Sequence, residues 1–257
     1  MSARILPVNL SIDNYDLAGF APRVTGFGAG RFGFVVTPNV DHVIRFHDDA
    51  GFRSLYQAAE FVLLDSRVLA LMLRLGRGLR VRVCPGSDLT AALFREFVRA
   101  DDRVVLIGAT AAQAQRLTAD YGLRDLRHYC PPMGFIRDPA AVEACLQFVE
   151  HASPFRYCLI AIGSPQQEVV AARLKERGRA RGLALCIGAS INFLTGVERR
   201  APRWLQRAHL EWLFRLLSEP GRMARRYLVR GPRMFWLLRH IEVSVREPAR
   251  AVDVPPS

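Results

Sequence analysis

Between about residue 34 and residue 188, short apolar runs alternate with longer amphipathic stretches. The runs at 34–37, 61–65, 81–84, 104–108, 157–162 and 184–188 have the length and side-chain content of buried strands. Stretches at 89–99, 111–121, 139–150 and 166–177 read as the helices between them. Strand, helix, strand at this interval predicts an α/β chain, with a parallel sheet and helices on both faces. Three runs end in Gly or Asp followed by a polar turn: L-L-D-S-R, L-I-G-A-T and A-I-G-S-P. Ligands of such folds bind beyond the carboxyl ends of the strands, so these turns are where chemistry is expected.

After Gly196 the pattern changes. Residues 204–217 place Leu205, Ala208, Trp212, Leu213, Leu216 and Leu217 on one helical face, with Arg207 opposite. Breaks at Glu219-Pro220-Gly221 and Gly231-Pro232 enclose a second basic stretch, and a short apolar run follows at 234–238. The pattern predicts three parts: a catalytic-type core at 1–196, a basic amphipathic helical appendage at 197–246, and a disordered tail at 247–257.

Charge sharpens the reading of the appendage. Eleven arginines, two acidic residues and all three tryptophans fall between residues 199 and 239, supplying +9 of a formal net charge of +12. Arginine interleaved with Trp, Tyr and Leu suits the phosphate-rich apolar boundary of a bilayer. No nucleic-acid recognition fold is visible, so nucleic acid is not an expected partner. No apolar run approaches the ~18–20 residues that span a bilayer, and the N-terminus lacks a signal-peptide pattern. The expectation is a cytoplasmic protein, peripherally attached to the inner face of the plasma membrane.

Five cysteines without a C-x-x-C pair imply neither a disulfide framework nor a zinc site. Cys145, Cys158 and Cys186 sit in apolar contexts and read as buried, inert thiols. The six histidines show no metal-ligand spacing and no D-x-D motif occurs, so neither metal nor cofactor is expected. G-A-G-R-F-G at 28–33 fits the dinucleotide fingerprint, yet it runs into a strand instead of opening a helix. A NAD-type oxidoreductase is therefore the alternative reading.

The polar turns supply the candidates. Thr37 and Asn39 in T-P-N-V-D-H are either a turn with an N-cap or hydroxyl and amide groups for a sugar or base. Asp65 at the end of F-V-L-L-D is either the cap of the next helix or a general base. In G-S-P-Q-Q-E at 163–168, Gly163 admits a ligand to the backbone and Pro165 suits a first helical turn. Free N–H groups there favour an anion, and Gln167 or Glu168 can bond a sugar or base. Gly108 closes a further strand in the same manner.

Taken in order, these pieces resemble the WecG/TagA/CpsF glycosyltransferase family from about residue 34 to residue 228. The carriers are T-P-N-V-D-H, L-L-D-S, P-G-S-D-L, V-L-I-G, G-S-P-Q-Q-E, G-A-S-I-N-F-L-T-G and the block R-A-P-R-W-L-Q-R-A-H-L-E-W-L-F-R-L-L-S-E-P-G-R-M-A-R-R-Y. The resemblance implies a Rossmann-like core and inverting, metal-free transfer of a hexose or N-acetylhexosamine. The donor would be a UDP-sugar and the acceptor a polyprenyl-diphosphate-linked saccharide at the membrane, as in surface or exopolysaccharide synthesis. It also implies Asp65 as general base, Thr37 and Asn39 beside the donor sugar, and Gln167 in the same pocket. The C-terminal arginines, among them Arg200, Arg203, Arg215, Arg222, Arg225 and Arg226, would close over the site and meet diphosphate and lipid carrier. Two departures stand out. Asp65-Ser66 replaces the family's usual Asp-Gly, and an extra residue before G-S-D-L leaves Arg82 as the match for an arginine that normally stands nearer. Donor sugar, acceptor saccharide and homo-oligomerisation are not legible.

Overall fold

The computed structural model describes residues 8–198, 205, 214, 221, 231–238 and 240–248. Its centre is a sheet of six parallel strands in the order β3-β2-β7-β6-β4-β5. These are β2 (Phe32–Val36), β3 (Phe61–Val62), β4 (Arg103–Gly108), β5 (Asp125–Tyr129), β6 (Tyr157–Ala161) and β7 (Gly182–Cys186). Successive strand residues point to opposite faces, so a strand covered on both sides must be apolar at every position. Phe34, Val36, Val105, Ile107, Cys158, Ile160, Ala184 and Cys186 enter one core. Val35, Val104, Leu106, Tyr157, Leu159, Leu183 and Leu185 enter the other.

Helices cover both cores. The first is closed by α2 (Val40–Asp48), α3 (Ala50–Ala58), α4 (Arg67–Arg77), α7 (Pro139–His151) and α8 (Gln166–Arg177). The second is closed by α1 (Leu17–Gly26), α5 (Gly86–Ala92) with the π-helical turn Leu93–Phe97, α6 (Ala111–Tyr121) and α9 (Ser190–Leu194). The predicted α/β architecture is the one observed.

Three differences have physical causes. The expected strand at 81–84 joins no ladder; Cys84 N donates to Leu64 O (2.9 Å) and Arg82 N to Asn14 Oδ1 (2.8 Å). It is the lead-in to α5. Strand β5, not expected, is the sheet's edge and half-exposed, so D-L-R-H-Y lacks an apolar run. Finally, β1 (Val8–Asp13) pairs in parallel with β8 (Ile241–Arg246) as a separate ladder. Asp13 Oδ2 accepts from Val62 N (2.7 Å) and pairs with Arg246 (2.9 Å), anchoring that ladder to β3.

Residues 241–246, expected within the helical appendage, are thus a strand. A short helix, α10 (Gly231–Leu237), precedes it and buries Met234 and Leu237. The rest of the appendage, including Arg200, Arg203, Arg215, Arg222, Arg225 and Arg226, lies outside the described residues.

Candidate active site

Because the six strands are parallel, their carboxyl ends share one edge of the sheet. Asp65, Thr37, Gly188 and Gly163 follow β3, β2, β7 and β6, four adjacent strands, and Gly108 ends β4 next to them. The sheet therefore gathers residues more than a hundred positions apart in sequence.

Asp65 is half-buried, its backbone N–H donating to Pro38 O (3.1 Å). Its Oδ1 accepts from the N–H of Gly86, the first residue of α5 (2.8 Å). Thr37 closes the group: a Cβ on Gly86 would stand 2.9 Å from Thr37 Oγ1. Three loops thus meet around one carboxylate. Asp65 does not cap the following helix; Ser66 does, its Oγ accepting from Leu69 N (3.2 Å). That places the departure from Asp-Gly in the capping of α4. Asn39, by contrast, is the N-cap of α2. Its Oδ1 accepts from Asp41 N (3.0 Å) and His42 N (3.3 Å), and His42 Nδ1 accepts from Asn39 N (3.2 Å).

The turn after β6 is built from beneath. Gly163 adopts φ +78°, a left-handed conformation that favours glycine. Gln167, 4% exposed, is pinned at both ends of its carboxamide: Oε1 accepts from Gly188 N (3.0 Å) and Nε2 donates to Glu168 Oε1 (3.0 Å). Glu168, expected to meet a sugar or base directly, is only 1% exposed and instead holds Gln167. Burial raises its carboxyl above the ordinary range. Among the described residues, the buried hydroxyl of Tyr56 has no hydrogen-bond partner. Burial, then the charge of Glu168, pushes the Tyr56 hydroxyl well up, with Arg45 acting against them.

Other expected residues serve packing. Gly108 takes φ +86°, and a Cβ there would lie 2.7 Å from Ala161 O, so no side chain fits between β4 and β6. Pro165 occupies the N-cap position of α8 without a side-chain cap. Arg82 turns outward, with NH1 3.7 Å from Asp16 Oδ2; it is paired there and not with the Thr37–Asp65–Gly86 group. The 28–33 segment leads into β2 and opens no helix, so the fingerprint lacks its required context. Cys84, Cys145, Cys158 and Cys186 are buried; burial pushes the Cys84 thiol up to about 12.

Sequence reasoning missed four contributors. Gly86 stood inside P-G-S-D-L but carries no side chain to notice. Arg45 NH1 donates to Ser164 Oγ (3.1 Å) while its guanidinium lies 5.3 Å from the Phe52 ring centroid. Tyr56 sits amid an unremarkable helix. Gln113, buried on α6, donates to Asn192 Oδ1 (2.9 Å) and Thr195 Oγ1 (3.2 Å), tying α6 to the G-A-S-I-N-F-L-T-G segment. The capping pattern T-A-A-Q at 110–113 was the one available signal.

An α/β sheet with a carboxylate and a hydroxyl gathered at its carboxyl edge fits a group-transfer enzyme, and comparison with known proteins makes the class definite. The model of the glycosyl transferase WecG/TagA/CpsF family matches residues 4–247, and the chain belongs to that family. Among curated relatives, an N-acetylglucosaminyldiphosphoundecaprenol N-acetyl-beta-D-mannosaminyltransferase of Bacillus spizizenii is 26% identical over 227 residues, covering 85% of each chain.

Proposed function

We propose that this glycosyltransferase moves a hexose or N-acetylhexosamine from a UDP-sugar to a polyprenyl-diphosphate-linked saccharide, with inversion and without a metal. The observation that carries this reading is the Asp65 carboxylate, fixed by the Gly86 N–H at 2.8 Å and flanked by Thr37 at the sheet's carboxyl edge. The acceptor hydroxyl oxygen attacks the anomeric carbon, the bond from that carbon to the UDP oxygen breaks, and the hydroxyl proton passes to Asp65. A positioned base of this kind contributes about 10²–10⁴ in rate. UDP leaves with the bonding electron pair, and its charge needs a counterweight. We assign that role to the start of α8 beyond Gly163, with one or more of Arg200, Arg203, Arg215, Arg222, Arg225 and Arg226. Thr37 and Asn39 are assigned to the donor sugar and Gln167 to the same pocket.

The acceptor's lipid tail requires work at a bilayer surface. Among the described residues no helix is long and apolar enough to cross one. The basic segment between residues 199 and 239 supports peripheral attachment to the cytoplasmic face. The name of the Bacillus relative makes N-acetylmannosamine the first donor to try and N-acetylglucosaminyl-diphospho-lipid the first acceptor.

The test is a UDP-sugar panel with a short-chain, water-soluble polyprenyl-diphosphate acceptor, read by mass spectrometry, with Asp65→Asn beside the wild type. Transfer should fall at least a hundredfold in the variant while UDP-sugar binding persists. Turnover of Asp65→Asn near the wild-type value removes Asp65 from the mechanism.

A further inference from the structure

Helix α4 carries apolar side chains on two sides. Leu69 and Leu73 are buried in the first core. Leu71 and Leu75, one turn apart on the other side, are 52% and 78% exposed. An ordinary surface helix is polar there. Arg67 and Arg74 adjoin Leu71 at helical spacing, four residues before and three after it.

The stretch of chain that carries α4 is itself cationic. From Ser66 to Ser87 the chain has five arginines (67, 74, 77, 80 and 82) and no acidic residue. Arg77 is used internally, its Nε donating to Leu238 O (2.6 Å) and its NH2 to Ile241 O (2.9 Å). The chain leaving the basic segment therefore returns to the C-terminal end of α4. Upstream of that contact α10 exposes Trp236, 54% accessible, its ring beside His47 of α2.

We propose that the outward face of α4 is a bilayer-docking surface. Leu71 and Leu75 enter the boundary between headgroups and acyl chains, and Arg74 and Arg80 meet the phosphates of anionic lipids. The proposal rests on the reading above, that the acceptor is held in a membrane. Asp65 immediately precedes the Ser66 cap of α4, and Leu71 lies about 7.5 Å beyond that cap along the helix axis at 1.5 Å per residue. Docking through α4 thus holds the base beside the surface that carries the lipid-linked acceptor. Charge decides against other occupants: a two-fold contact between copies through this face would bring arginines against arginines. Nucleic acid would not reward two exposed leucines.

The test is flotation of the full chain with phosphatidylcholine vesicles, with and without phosphatidylglycerol. Leu71→Ser combined with Leu75→Ser should weaken partitioning to the anionic vesicles about tenfold. Both positions are exposed, so the thermal melt should not move. Arg74→Glu combined with Arg80→Glu should abolish the preference for phosphatidylglycerol. Transfer to the soluble acceptor should be unchanged in both variants, while transfer to a long-chain acceptor in vesicles falls with partitioning. Unchanged flotation of the leucine variant overturns the proposal. So does a variant that floats normally but loses a dimer in sedimentation equilibrium, because the face then joins two copies. A wild type inactive on every soluble acceptor, yet floating as described, overturns the reaction and leaves the docking surface standing.

Discussion

Substituting Gly86 by alanine probes the geometry around Asp65 without touching the carboxylate. The new Cβ would lie 2.9 Å from Thr37 Oγ1 but 3.6 Å from Thr37 Cβ and Cγ2, so only the hydroxyl is in conflict. One remedy rotates the Thr37 side chain, costing about 0.5–1.5 kcal/mol. The other moves the start of α5 by a few tenths of an ångström. That stretches the 2.8 Å bond from Gly86 N to Asp65 Oδ1, a bond to a charged group worth about 1.5–3 kcal/mol. Alanine in a helix recovers up to about 1 kcal/mol over glycine, so the net loss of stability should stay below about 2 kcal/mol. Activity should suffer more, because a slightly misplaced base costs about tenfold to a hundredfold. The measurements are denaturant unfolding and steady-state transfer to the soluble acceptor. Thr37→Ala in the Gly86→Ala background removes the conflicting oxygen. It should restore about 1 kcal/mol relative to additivity without restoring turnover. Wild-type turnover in Gly86→Ala, or strictly additive stabilities, would refute the convergence of Thr37, Gly86 and Asp65 as the working unit.

The buried Glu168 predicts a pH signature. Its folded-state carboxyl is raised by burial above the ordinary value of 4.5. The neutral form's contribution is therefore full below that value and is lost as pH rises through the folded value, each unit of displacement amounting to about 1.4 kcal/mol. Glu168→Gln should gain stability relative to the wild type as pH rises, seen in unfolding curves at several pH values; a constant difference would count against a buried, protonating carboxyl. Gly182→Ala offers a contrast in the scaffold. Gly182 adopts φ +129° and a Cβ would sit 2.2 Å from Phe155 O, so the loss should exceed about 3 kcal/mol. Chemical denaturation measures it, and a loss under about 1 kcal/mol would show that β7 can shift away from that loop.

Much of the scaffold was open to reading because it depends on local chemistry. The runs around β2, β4, β6 and β7 are mostly apolar since both faces are covered, and α6 and α8 begin and end where the helical pattern placed them. The ladder of β1 with β8 was hidden because its partners lie 233 positions apart and each strand alone is short and mixed. Strand β5 was hidden by its polar edge. Asp65 could be singled out as a carboxylate at a strand end, yet L-L-D-S read alone favoured a cap over a general base.

Sequence by itself determined the α/β class, the strand-end turns and a concentrated basic segment, since each follows from residue type and short-range spacing. Only the tertiary structure decided that Ser66 caps α4 while Asp65 turns to Gly86, that Glu168 supports Gln167 from below, and that Arg82 pairs with Asp16. Those outcomes hang on which loops the parallel sheet brings together at one edge. Contact across loops is a property of strand order, which no local window of sequence contains.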